Sequence, residues 1–125
     1  MSFVTNVIVS HSVDEGEKTT RTLCAWFDAR GGIRSLTAVE TDYWGGDKGP
    51  ECELWAGAYN LFDLAGFWQH MARLRWNRPD QVQVFLMEQL DRRFQVWLIE
   101  DGAFVRHLDG AMEPNVWTDE PDVTP

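Results

Sequence analysis

Residues 60–74, NLFDLAGFWQHMARL, decide the fold class of this 125-residue chain. Their apolar side chains recur at steps of three and four, as on one face of an α-helix, at Leu61, Leu64, Phe67, Trp68, Met71 and Leu74. Asn60 is placed to cap the first turn, and Asp63 suits the positive end of the helix dipole. The stretch therefore predicts an amphipathic helix with one face packed against other structure.

The segments on both sides of this helix alternate apolar and polar residues, as β-strands do. Residues 3–10, 19–28, 33–41 and 51–59 predict strands before the helix, and residues 81–89, 94–100 and 103–108 predict strands after it. Asp101-Gly102 predicts a hairpin turn between the last two. The expected fold is α+β: an antiparallel, curled sheet of about six to seven strands with one amphipathic helix on one face, in the order β-β-β-β-α-β-β-β.

A fold with one helix leaves the second face of its sheet without a cover. We expect the sheet to curl, a loop to fold over that face, or a second subunit to pack there. A homodimer through the uncovered sheet face is therefore one expected assembly.

The length suits one domain, which we expect over 1–117, followed by an acidic tail with prolines over 118–125. The N-terminus lacks the basic and apolar regions of a secretory leader, and no stretch approaches the ~20 apolar residues of a membrane span. We expect a cytoplasmic protein that does not contact membranes. Cys24 and Cys52 lie in apolar alternating stretches and are expected to be reduced and buried.

The net charge of −9 is concentrated in two segments. Residues 40–53 contain five carboxylates and only Lys48, whereas residues 109–125 contain five carboxylates and no Lys or Arg. This balance argues against nucleic acid as a partner, because phosphate binding needs clustered cations. It predicts an electrostatic patch that suits a basic protein partner.

The loop over 42–50 and the strand after it hold the candidate binding residues. Aromatic side chains would supply contact area, and carboxylates would pair with Lys or Arg of the partner. The candidates are Asp42, Tyr43, Trp44, Asp47, Glu51, Glu53 and Trp55. The alternative is that Trp44 closes the core and that the carboxylates form only a solvated edge.

The expected function is that of a non-enzymatic, acidic protein-binding module, comparable in size and charge alone to inhibitor or immunity proteins that act on a basic partner. The alternative is a small-molecule-binding or enzymatic domain, for which the seven Trp of the chain offer material. Its pocket would be lined by Trp26, Trp55, Trp68 and Trp97.

Catalytic and metal-binding motifs are not apparent, so we assign no catalytic residue and expect no metal or cofactor. The three histidines, His11, His70 and His107, are far apart in the sequence. Arg73, Arg75 and Arg78, with Trp76 between them, form the only basic cluster. It predicts either an anion or nucleotide site with a stacking ring, or compensation of the helix dipole together with salt bridges to the acidic strand over 51–59.

Overall fold

The computed structural model describes residues 3–30, 33–40 and 44–107. Six strands and two α-helices, with a short 3₁₀ turn at Pro79–Gln81, follow one another along the chain. Their bounds are β1 (Val4–Ser12), α1 (Glu17–Asp28), β2 (Thr37–Ala38), β3 (Cys52–Asn60), α2 (Leu64–Met71), β4 (Gln83–Glu88), β5 (Gln95–Glu100) and β6 (Ala103–His107).

The six strands form one sheet in the order β2-β3-β1-β4-β5-β6, and every neighbouring pair is antiparallel. The predicted α+β class with an antiparallel sheet is confirmed. Strand β1 lies inside the sheet, so the first strand of the chain pairs with two later strands, β3 and β4.

Both helices pack on the same face of the sheet, which we call the helix face. Partners in register share a face, and the row Trp55–Val9–Val84–Trp97 crosses four strands on this side. Val9 and Val84 are fully buried there. The core cluster joins such strand residues to Leu23, Phe27, Phe67 and Met71 of the helices.

The predicted strand over 19–28 is instead part of helix α1, which gives the fold a second helix and the order β-α-β-β-α-β-β-β. The alternation of Leu23, Ala25 and Phe27 favoured a strand, but Leu23 and Phe27 are also four residues apart. These two are the residues that α1 buries, since positions i and i+4 share a helix face. Glu17 and Arg21, at the same spacing, lie 4.0 Å apart on the exposed side.

Helix α2 is shorter than the pattern predicted, and its N-cap is Asp63 rather than Asn60. An oxygen of Asp63 accepts the backbone N–H of Gly66 at 3.0 Å. Asn60 ends β3, and its Oδ1 accepts the N–H of Phe3 at 2.6 Å. Leu61 has a φ of 52°, outside the helical range, so the helix starts only after it.

The last hairpin has the predicted turn: Asp101 and Gly102 have φ angles of 52° and 81°, as a two-residue turn with the twist of the strands requires. The predicted strand over 33–41 is reduced to the two residues of β2 at the edge of the sheet.

The other side of the sheet, which we call the open face, has no helix over it in the described ranges 3–30, 33–40 and 44–107. The row Ala56–Ile8–Phe85–Val96 crosses four strands on this side. All four of these residues are only half-buried. This row of the open face is apolar, as expected for a surface that another layer would cover.

The predicted tail over 118–125 and the whole acidic segment 109–125 lie outside the described residues. Within the described part, neither helix has the length and apolar character needed to cross a bilayer.

Candidate functional site

The acidic candidates gather where β2 and β3 form an edge of the sheet. Ala38 pairs with Trp55, and the N–H of Val39 donates to the carbonyl of Leu54 at 2.9 Å. Continuing this register places Glu40 beside Glu53. Both glutamates are exposed, and both line one cavity of about 210 Å³.

The carboxylates of this edge are not neutralised by the ion pairs that the described residues form with one another. Asp47 and Glu51, in the segment leading into β3, are exposed like Glu40 and Glu53. We call these four residues the acidic edge. The ion pairs between described residues involve other carboxylates, Arg21–Glu17, Arg30–Asp63 and Arg78–Asp80, and the imidazole of His107 lies next to Glu100.

The aromatic candidates have different surroundings. Trp44 lies in the loop before β3 and is 36% exposed. Trp55 is half-buried on the helix face. Glu53, two residues earlier in β3, lies on the same face and is the register partner of His11. Asp42 and Tyr43 lie outside the described residues. The structure therefore brings Glu53 and Trp55 onto one face, with Trp44, Asp47 and Glu51 in the segment that precedes them.

Trp55 is held by the imidazole of His11. Its Nε1–H donates to Nε2 of His11 at 3.0 Å, and Nδ1 of His11 lies 2.7 Å from the carbonyl oxygen of Ser12. His11 is 1% exposed, and Trp76 lies against it with 5.6 Å between ring centroids. This contact fixes the indole of Trp55 beneath the acidic edge and gives Trp55 a structural role as well.

Each histidine has a polar group close to its imidazole. Nε2 of His70 is 2.9 Å from the carbonyl oxygen of Thr22, and Nε2 of His107 is 2.7 Å from Oε2 of Glu100. Burial lowers the pKa of His70, while its backbone hydrogen bonds act in the opposite direction. None of the three is arranged beside a Ser or Cys nucleophile in the hydrogen bonds of the described chain.

Metal binding has no candidate among the described residues, since no group of three or more His, Cys, Asp or Glu is arranged to hold an ion. Cys24 and Cys52 are both free thiols and both half-buried.

The four tryptophans predicted to line one pocket lie in three places. Trp68 and Trp97 have ring centroids 4.5 Å apart and line a cavity of about 330 Å³ with Phe104. Trp26 lies instead under Arg30, whose guanidinium carbon is 4.1 Å from its ring centroid. Trp55 is beside His11.

The sequence analysis did not predict that Glu40 lies opposite Glu53. It also did not predict that Lys18 lines the same cavity as Arg73 and Arg75. The first depends on the register between β2 and β3, and the second on how α1 packs beside the segment after α2. The arginine cluster itself was visible, but nothing in the sequence connects Lys18 to it.

No protein-family model, curated protein or solved structure matches this chain.

Proposed function

We propose that this chain is a non-enzymatic protein-binding module of the inhibitor or immunity type, whose acidic edge covers a basic surface of a partner protein. The observation that supports it is the placement of Glu40 beside Glu53 with no ion pair to either among the described residues. Like charges directly opposite each other on neighbouring strands are destabilising. Lys or Arg side chains of a partner would relieve that repulsion.

The surroundings of the acidic edge suit a protein partner. Trp44, which is 36% exposed, offers aromatic contact area next to the carboxylates, and aromatic residues are enriched at the centres of interfaces. The net charge of −9 would also speed the approach of a basic protein at low ionic strength.

The histidine contacts support binding rather than catalysis. His11 uses both ring nitrogens in contacts to Trp55 and Ser12, and His70 contacts a backbone carbonyl. An imidazole with both nitrogens engaged inside the core is not placed to accept a proton from a substrate.

The test starts by capturing partners from a lysate of the cells that make the protein and identifying them by mass spectrometry. Association of the purified partner is then measured by stopped flow with wild type and with a Glu40→Lys, Glu53→Lys double variant. We expect the double variant to associate about tenfold more slowly at low salt, with a smaller difference at high salt.

The matched control is Asp28→Lys, an exposed substitution of the same kind at the C-terminal end of α1, where a cation suits the helix dipole. Its effect is compared with that of Glu53→Lys alone, which reverses one charge at the acidic edge. If Asp28→Lys slowed association as much as Glu53→Lys, only net charge would matter and this site would be wrong. Trp44→Ala tests the aromatic contact and should speed dissociation more than it slows association.

A further inference from the structure

A cation-lined cavity lies where α1 meets the segment after α2. It has a volume of about 510 Å³ between the first turns of α1 and the segment that follows α2. Its charged lining residues are Lys18, Arg73 and Arg75. These are three of the eleven Lys and Arg of a chain with net charge −9, and none of the three is in an ion pair between described residues.

The walls of this cavity are fixed to each other by hydrogen bonds. The carboxylate of Glu15 accepts the backbone N–H groups of Asn77 and Arg78 at 2.8 and 2.7 Å. Thr19 Oγ1 donates to the carbonyl oxygen of Arg75 at 3.3 Å. Both carboxylate oxygens of Glu15 are therefore engaged by backbone amides, and the cavity does not depend on a ligand to form.

An apolar cavity adjoins the cation-lined one. Leu74 and Arg75 line both, and the second cavity, of about 300 Å³, also has Trp76, Ile99 and Phe104 in its wall. Phe104 in turn borders the cavity of Trp68 and Trp97. A polar, positively charged space thus opens directly beside an aromatic one.

We propose that this pair of cavities binds a small phosphate ester with a planar ring, such as a mononucleotide. The phosphate would contact Lys18, Arg73 and Arg75, because guanidinium groups form paired, charge-assisted hydrogen bonds to phosphate oxygens. The ring would lie in the apolar cavity against Trp76 and Phe104. Ligand sites commonly have volumes of roughly 300–1,000 Å³ and combine an apolar wall with a few charged groups. This site is separate from the acidic edge and does not depend on the proposed function.

The test is titration calorimetry of the full chain with adenosine monophosphate and with phenyl phosphate, each up to about 10 mM, beside adenosine and inorganic phosphate. We expect at least one of the two esters to bind about tenfold or more tightly than its separate parts, since both cavities contribute. An Arg73→Gln, Arg75→Gln double variant should weaken binding by about tenfold or more.

Arg92→Gln is the matched control, because Arg92 is exposed in the turn between β4 and β5 and lines neither cavity. Lys18→Gln, on a different element, repeats the test if the double variant has an altered circular dichroism spectrum. The proposal is overturned if neither ester binds to the wild type, or if the Arg92 variant loses as much affinity as the cavity variants.

Discussion

Trp55 donates its indole N–H to Nε2 of His11 across the neighbouring strands β3 and β1, over 3.0 Å. An indole N–H can only donate, so Nε2 of His11 has no proton. The carbonyl oxygen of Ser12 can only accept, so the proton of the ring is on Nδ1, which lies 2.7 Å from that oxygen. Through these two contacts His11 links the core to the residue directly beneath the acidic edge.

Replacing the donor should destabilise the fold. In Trp55→Phe, the buried Nε2 of His11 loses its partner, and we expect the free energy of unfolding to fall by about 1–3 kcal/mol. Urea denaturation followed by circular dichroism measures the change. Trp44→Phe, in the exposed loop, is the control and should stay within about 0.5 kcal/mol of wild type. Equal effects of the two substitutions would contradict a structural role for Trp55.

Gly57 is needed because Tyr59 lies over it on the helix face. A Cβ at position 57 would be 2.5 Å from the hydroxyl oxygen of Tyr59. The ring of Tyr59 cannot move away cheaply, since it is 7% exposed and its centroid is 5.2 Å from those of Phe27 and Phe62. We expect Gly57→Ala to cost about 1–3 kcal/mol of unfolding free energy. Differential scanning calorimetry of this variant and of Gly45→Ala, where a Cβ meets nothing within 4 Å, compares a crowded position with an open one. A Gly57→Ala protein as stable as the Gly45→Ala protein would show that Tyr59 repacks freely.

The parts of the fold that sequence could predict are those with local causes. Asp101-Gly102 specified its hairpin because few other residues accept two positive φ angles in succession. Helix α1 was missed because Leu23 and Phe27 satisfy a period of two and a period of 3.6 equally well, and only packing against the sheet decides between them. The proximity of Glu40 and Glu53 follows from strand register across a long loop, which no local pattern determines.

Acidification should destabilise the protein through His70. Burial lowers the pKa of His70 from its usual value, and the nearby charge of Arg73 acts in the same direction. Between the lowered folded pKa and about 6.5 the unfolded chain binds more protons, so stability rises with pH through that window and is lost on acidification. Comparing urea denaturation of wild type and His70→Gln from about pH 7 to about pH 5 should show a steeper loss for wild type. Parallel curves would mean that His70 does not contribute to the pH dependence.

The open face of the sheet predicts self-association. Phe85 and Leu98 are half-buried there with no helix over them among the described residues, and contiguous apolar patches of this kind mark interaction surfaces. We expect sedimentation velocity in the hundreds of micromolar, a range in which weak interfaces associate, to show a dimer for wild type. Phe85→Lys should be monomeric, and Gln69→Lys, exposed on α2, should behave as wild type. A wild-type protein that remains monomeric over this concentration range would contradict the predicted homodimer.

Repulsion between the carboxylates of the acidic edge should lower the free energy of unfolding, and neutral substitutions there should raise it. Glu40 and Glu53 lie side by side without an ion pair among the described residues, so Glu40→Gln should raise the free energy of unfolding by a few tenths of a kcal/mol at low salt. The gain should shrink in about 1 M salt, where the screening length is near 3 Å. Glu17→Gln is the control, because Glu17 lies 4.0 Å from Arg21 and should give no gain. Urea denaturation at the two salt concentrations measures both variants. If Glu40→Gln were less stable than wild type at low salt, a cation of the chain itself would already compensate the edge, and the need for a basic partner would disappear.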